Sequence, residues 1–247
     1  VEDGTGLHSD LCDCFSRPIL WNPCLNFMNK SLIEQLQGGL VVSCQAFDYE
    51  PFYGADFMAK MAVSAKLGGA AAIRASWPEN IRAIKKEVDL PVFGINKIMP
   101  KTYDKLRDVI ITPTLESARA VVEAGADIVA VDCTLRQGRT PQAVLDLLQE
   151  YKTHLNVLIM AEISTAEEGE IAAEGGADIL STTIAGYTPY SRHLEEPDYQ
   201  LIEELCALTS LPINAEGRFH HPDQVVKAFQ LGAWTVTVGS AITRPHC

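Results

Sequence analysis

The residues of this chain most able to do chemistry stand at the ends of short β-rich runs: Ser43 and Gln45, Arg74, Asn96 and Lys97, Asp132, Glu162, Thr182 and Thr183, Glu216 and Arg218, then Gly239 and Ser240. The set mixes an amine and guanidinium groups with several carboxylates. Charge projecting into a pocket is expensive unless paired, so such a set reads as a proton-transfer or anion-binding site, or else as a structural ring of salt bridges. A lysine becomes a base when burial and neighbouring charge bring its pKa toward neutrality, and a carboxylate facing it can supply the complementary acid.

Gly217 and Arg218 follow one run, while Gly239, Ser240 and Arg244 follow the next. Glycine lets backbone N–H groups approach phosphate oxygens, and arginine adds paired donors, so the two loops together point to a phosphorylated ligand. The histidines (His8, His154, His193, His220, His221, His246) include none that ends a run, which disfavours a metal site and suits surface or capping roles. Seven cysteines without a repeated C-x-x-C spacing argue against a disulfide framework and against zinc. Cys44 and Cys133 lie near run ends but lack a histidine partner, so packing is the expected role. Trp77, Trp234, Tyr187 and Tyr190 suit a core or a pocket wall equally.

These side chains need elements to position them. The runs 40–44, 71–74, 91–96, 127–132, 157–162, 179–183, 212–216 and 235–239 read as eight strands, separated by helical patterns such as 55–67, 78–88 and 115–123. Residues 109–112 resemble a ninth strand, but they follow Lys97 too closely for a crossover helix and are read as part of a long excursion. Gly69, Gly125, Gly176 and Gly232 follow helix ends at intervals of 51 to 56 residues, about two strand–helix units each. Eight such units in roughly 200 residues is the plan of a TIM (β/α)8 barrel, whose active site lies at the C-terminal ends of its strands. The alternative, a doubly wound open sheet, lacks the G-x-G-x-x-G expected after its first strand. Only residues 240–247 follow the eighth strand, so the barrel is expected to lack its C-terminal closing helix here.

The 247 residues are 47% hydrophobic and 21% charged, the composition of a soluble globular protein. A net charge of −12 repels nucleic acid and anionic membranes, so any anionic ligand must be held by local groups. No apolar stretch approaches the roughly 18 residues of a membrane helix, and no secretory signal precedes the first element, which suggests a cytoplasmic protein. Residues 1–27 contain no lysine and no apolar periodicity, whereas a helical pattern begins at Met28. They are expected to be a non-native or disordered extension, with residues 28–247 forming one barrel domain.

From about Met28 to Pro245 the chain resembles the N-acetylmannosamine-6-phosphate 2-epimerases of bacterial sialic-acid and amino-sugar salvage. The resemblance runs through ordered blocks at residues 38–45, 72–74, 94–97, 111–114, 181–188, 215–218 and 238–245. It implies a TIM barrel that interconverts the 6-phosphates of N-acetylmannosamine and N-acetylglucosamine, without a cofactor or metal, by removing and returning the proton at carbon 2. It places the catalytic groups on Lys97 and Glu216, a substrate arginine on Arg74 and a phosphate arginine on Arg244. Gln45, Asp132, Glu162, Thr183, Gly186 and Arg218 are the further expected substrate contacts, with Gly217, Gly239, Ser240 and Arg244 around the phosphate. Two positions depart from the family pattern: Glu162 stands where Asp is usual, and Ile98 where a basic residue is usual. A Schiff-base aldolase using Lys97 and a non-catalytic sugar-phosphate-binding barrel are the alternatives. The expected partner is a small sugar phosphate, with room for a homodimer.

Overall fold

The eight β-rich runs become eight parallel strands that close in chain order into a barrel in the computed structural model, which describes residues 31–245. The strands are β1 (Gly39–Cys44), β2 (Ala72–Ser76), β3 (Val92–Ile95), β4 (Ile128–Asp132), β5 (Leu158–Glu162), β6 (Ile179–Ser181), β7 (Ile213–Glu216) and β8 (Thr235–Val238). The helices between them are α1 (Ala55–Leu67), α2 (Pro78–Glu87), α3 (Leu115–Glu123), α4 (Pro141–His154), α5 (Ala166–Glu174), α6 (Tyr199–Leu208) and α7 (Pro222–Gln230). Their starts follow local chemistry. Thr114, Thr140, Thr165 and Asp198 accept the orphan backbone N–H of the first turn, and Pro78, Pro141 and Pro222 occupy a first-turn position where no N–H is needed.

Alternation along the strands decides what faces the barrel axis. Val42, Ile73, Val129, Ile159 and Leu180 point outward into the layer beneath the helices. Inward, the apolar half of the lumen comprises Phe93, Ile95, Ile128, Ala130, Leu158 and Met160. The same parity sends Arg74, Asp132, Glu162 and Glu216 inward, at the C-terminal mouth. Across the lumen, β6 to β8 add polar filling beside Ile179. Thr235 and Thr237 donate to Asn214 Oδ1 at 2.9 and 2.8 Å, and Asn214 Nδ2 donates to Ser181 Oγ at 2.7 Å.

The four repeat glycines all have positive φ, between 88° and 104°, as turns after helix ends require. The 109–112 run does not enter the barrel: its one bridge is antiparallel, Ile111 to Lys97, so the excursion returns beside β3 before α3 begins. After β8 comes the four-residue helix α8 (Ser240–Thr243). The expected extension at residues 1–27, and the start at Met28, lie outside the described residues. Among the described residues no helix is long and apolar enough to cross a membrane.

Candidate active site

Arg74 reaches from β2 across the mouth to two carboxylates. It donates through Nη2 to Glu162 Oε1, and its Nε lies 3.3 Å from Glu216 Oε2. Burial alone would lower the pKa of this guanidinium, but the two glutamates outweigh that and raise it. Glu216 also accepts from Thr183 Oγ1 at 3.2 Å, and Thr183 is in turn 2.8 Å from Ser181 Oγ, so the polar filling of the lumen ends on this carboxylate. Burial pushes the Glu216 carboxyl up to about 7, with Glu162 adding to the rise while Arg74, Thr183 and Lys97 oppose it.

Lys97 follows β3 and enters the same mouth. Its amine lies 4.7 Å from the centroid of the Phe47 ring, which stacks on Tyr49 and meets Trp77 edge-on. Desolvation in this setting, reinforced by the Arg74 charge, pulls the lysine down to about 7 against the attraction of Glu162 and Glu216. With the lysine lowered and the glutamate raised toward neutrality, one can act as base while the other acts as acid.

Asp132, one strand along from Glu162, has a different environment. Its Oδ1 accepts from Thr134 N, Thr134 Oγ1 and Arg139 Nη2 at 3.0, 2.7 and 2.9 Å, and its Oδ2 accepts from Arg136. Arg136 in turn donates to the carbonyls of Lys105 and Tyr187 at 3.1 and 3.4 Å, tying the excursion and the loop after β6 into one wall. Asp132 and Glu162 are fully buried and stand behind the lining rather than in it.

The mouth opens into a cavity of about 560 Å³. Of the residues expected at the site, Gln45, Arg74, Lys97, Thr183, Glu216, Gly217, Arg218, Gly239, Ser240 and Arg244 line it. Gly186 does not. It has φ 79°, and a Cβ there would fall 2.6 Å from Arg218 Nη1, so its part is to let that guanidinium lie close. Arg218 donates to the carbonyls of Glu196 and Ala185 at 2.8 and 2.7 Å, leaving Nη2 buried without a partner. Gln45 Oε1 and Glu162 Oε2 are likewise buried without a hydrogen-bond partner. Of these, the unused atoms of Gln45 and Arg218 belong to residues that line the cavity, where a polyhydroxylated ligand can add bonds.

Arg244 carries a feature that the strand-end pattern misses. Its Nε and Nη2 grip Glu50 at 2.8 and 3.1 Å, and Glu50 Oε2 also accepts the backbone N–H of Phe47 at 2.6 Å. One edge of the guanidinium is therefore occupied, and the donors on its other side remain for a ligand. Phe47, Tyr49 and Tyr187 also line the cavity, and sequence spacing does not place them there because aromatic side chains in loops carry no periodic signal. Burial pushes the Cys44 thiol up to about 12 and the Cys133 thiol up as well, which suits packing rather than nucleophilic attack. Among the described residues no three His, Cys, Asp or Glu side chains gather as metal ligands would.

Comparison with known proteins gives concordant results. A protein-family model described as "Putative N-acetylmannosamine-6-phosphate epimerase" matches residues 58–247. A protein of Caldanaerobacter subterraneus subsp. tengcongensis named "Putative N-acetylmannosamine-6-phosphate 2-epimerase" is 49% identical over 222 residues, covering 89% of this chain and 91% of its own. A protein of Listeria monocytogenes serotype 4b with the same name is 40% identical, covering 89% of this chain and 94% of its own. The solved structure of the N-acetylmannosamine-6-phosphate 2-epimerase from Clostridium perfringens superposes with a TM-score of 0.78 at 40% identity, covering 87% of this chain and 91% of that one.

Proposed function

Since the chain belongs to the N-acetylmannosamine-6-phosphate epimerase family, we propose that it interconverts N-acetyl-D-mannosamine 6-phosphate and N-acetyl-D-glucosamine 6-phosphate by proton transfer at carbon 2. The observation that carries this reading is the pair Lys97, just after β3, and Glu216, at the end of β7, on opposite sides of the barrel, lining one cavity and both brought to about 7.

The hydrogen at carbon 2 becomes acidic when the sugar ring opens and carbon 1 becomes an aldehyde. In the direction that Lys97 initiates, its neutral amine takes that proton, the C2–H electron pair moves into a C1–C2 double bond, and the aldehyde oxygen becomes an enolate oxygen. Protonated Glu216 then delivers a proton to the opposite face, the enolate collapses to the aldehyde, and the ring closes with carbon 2 inverted. The reverse direction begins with Glu216 as the carboxylate and Lys97 as the ammonium. Arg74 supplies positive charge while the negative charge exists, and Glu162 holds Arg74 in place. Gly217, Gly239, Ser240 and Arg244 surround the phosphate, with Glu50 orienting the arginine. Gln45 and Arg218 offer their unused polar atoms to hydroxyl or acyl oxygens. Asp132 and Gly186 act from behind the lining.

Proton NMR of N-acetylmannosamine 6-phosphate with the protein in D2O tests the reading. The expected outcome is appearance of the gluco epimer with deuterium at carbon 2. A sugar phosphate that is bound but never exchanges at that position would mark a binding barrel. Irreversible labelling of Lys97 by borohydride in the presence of substrate would mark a Schiff-base enzyme.

A further inference from the structure

Resting on the epimerase reading, we propose that Trp77 is the positioning residue for Lys97, fixing both the backbone and the amine of that side chain. At the backbone end, Lys97 faces Ile111 in the isolated antiparallel bridge, but the bonds of that bridge belong to its neighbours: Ile98 N donates to Ile110 O and Thr112 N to Asn96 O, each at 2.9 Å. The carbonyl of Lys97 itself is left over from that ladder, and the Trp77 indole N–H donates to it at 3.1 Å. At the other end, the lysine amine rests on Phe47, and the ring that meets Phe47 edge-on, with centroids 5.9 Å apart, is Trp77 again. A single indole thus braces the peptide from which the lysine springs and the aromatic surface on which its nitrogen lies.

The backbone of Trp77 is independent support. It has φ 70° and ψ 140°, in territory that glycine tolerates and a bulky residue rarely enters. Pro78 follows directly and restricts Trp77 to extended ψ, while the Trp77 N–H extends the β2–β3 ladder by donating to Ile95 O at 2.9 Å. A tryptophan is held where a glycine would sit without strain, and what only the tryptophan adds is the indole. The charged groups that act on the lysine amine are Arg74 on β2, Glu162 on β5, Glu216 on β7 and Arg244 after β8. The indole is uncharged, so replacing it leaves that set in place and alters only geometry and access of water.

Two variants test the proposal, Trp77→Gly and Trp77→Phe, each followed by thermal unfolding, by kcat and KM for epimerisation, and by NMR titration of the Lys97 amine without substrate. Trp77→Gly relieves the backbone but loses the indole's packing and hydrogen bond, so its unfolding temperature is measured beside kcat to separate lost stability from lost positioning. Its kcat is expected to fall about tenfold with KM within about twofold, because a displaced lysine loses its attack geometry. Its lysine titration should rise by about half a pH unit or more as water reaches the amine. Trp77→Phe keeps an edge for Phe47 but removes the N–H, so a smaller fall in kcat at constant KM is expected. Retention of kcat within about twofold in both variants, with an unmoved lysine titration, would overturn the proposal. So would a fall in kcat that merely follows lost thermal stability while the titration stays put. Because the titration needs no substrate, a parent protein that failed to epimerise would overturn the functional reading and leave the role of Trp77 to be judged by the titration.

Discussion

Asp132 on β4 and Glu162 on β5 are register partners, both buried completely at the same mouth, yet they live in opposite circumstances. Around Asp132 both oxygens are engaged, by Thr134, Arg136 and Arg139, and every donor in that group spans a short stretch of one loop. Around Glu162 the side-chain partner is Arg74 from distant β2, one oxygen has no hydrogen bond, and the neighbouring Glu216 and Lys97 are held away from their ordinary pKa values. Buried charge by itself therefore marks no site in this molecule. The closed group around Asp132 builds a wall, whereas the open group around Arg74 retains unmet electrostatic demand that a substrate can answer. Evolution of a rigid site uses both, since strained groups persist only where satisfied ones hold them.

Four substitutions separate these roles. The largest effect is expected in the open group: Lys97→Met and Glu216→Gln should each lower turnover by about 10²- to 10⁴-fold, the usual contribution of a general acid or base. Neither should weaken the fold, since each removes a desolvated ionisable group. Turnover and urea unfolding measured on the same preparations would check this, and parent-like turnover would dissolve the distinction. In the closed group the order reverses. Asp132→Asn leaves Arg136 and Arg139 facing a neutral amide, and breaking a buried pair on one side typically destabilises by about 3 to 5 kcal/mol. A urea midpoint equal to that of the parent would show that the wall does not depend on this carboxylate.

The smallest effect sharpens the comparison through pH. With both groups near 7, activity initiated by neutral Lys97 fails below that range because the amine is protonated, and fails above it because Glu216 has lost its proton, so a bell centred near neutrality is expected. Thr183 donates to Glu216 and favours its charged form. Thr183→Val removes that bond and raises the carboxyl further, so the alkaline limb should move up by about half a pH unit while the acidic limb stays. A shift downward, read from the pH profile of kcat, would contradict the assigned hydrogen bond.

Much of this arrangement was legible in the sequence. Strand-end polarity located Arg74, Lys97, Glu162 and Glu216 because period-two alternation fixes which residues face the axis, and spacing excluded residues 109–112 from the barrel. What escaped was set by tertiary proximity. Glu50 lies in an aperiodic loop 194 positions from Arg244, and nothing local announces that pair. The run 179–183 reads as one strand, yet Thr183 sits in a 3-10 turn (Thr182–Ile184), where its hydroxyl turns toward Glu216. The engagement of Asp132 by its own loop was equally hidden, since a strand-end aspartate looks the same in sequence whether its oxygens are free or taken.

The hydroxyl and amide chain from Thr235 and Thr237 through Asn214, Ser181 and Thr183 to Glu216 constrains how this protein can change over generations. Two threonines donate into Asn214 at one end and Glu216 accepts at the other, so replacing a middle link by a hydrocarbon strands its neighbours in a dry interior. Apolar substitutions at the middle links Ser181 and Asn214 are then expected to be harmful one at a time even where a concerted apolar replacement would be tolerated, and their effects will not add. Apolar-for-apolar exchanges elsewhere in the lumen strand no polar atom, so they are expected to be tolerated one at a time more readily than changes along this chain.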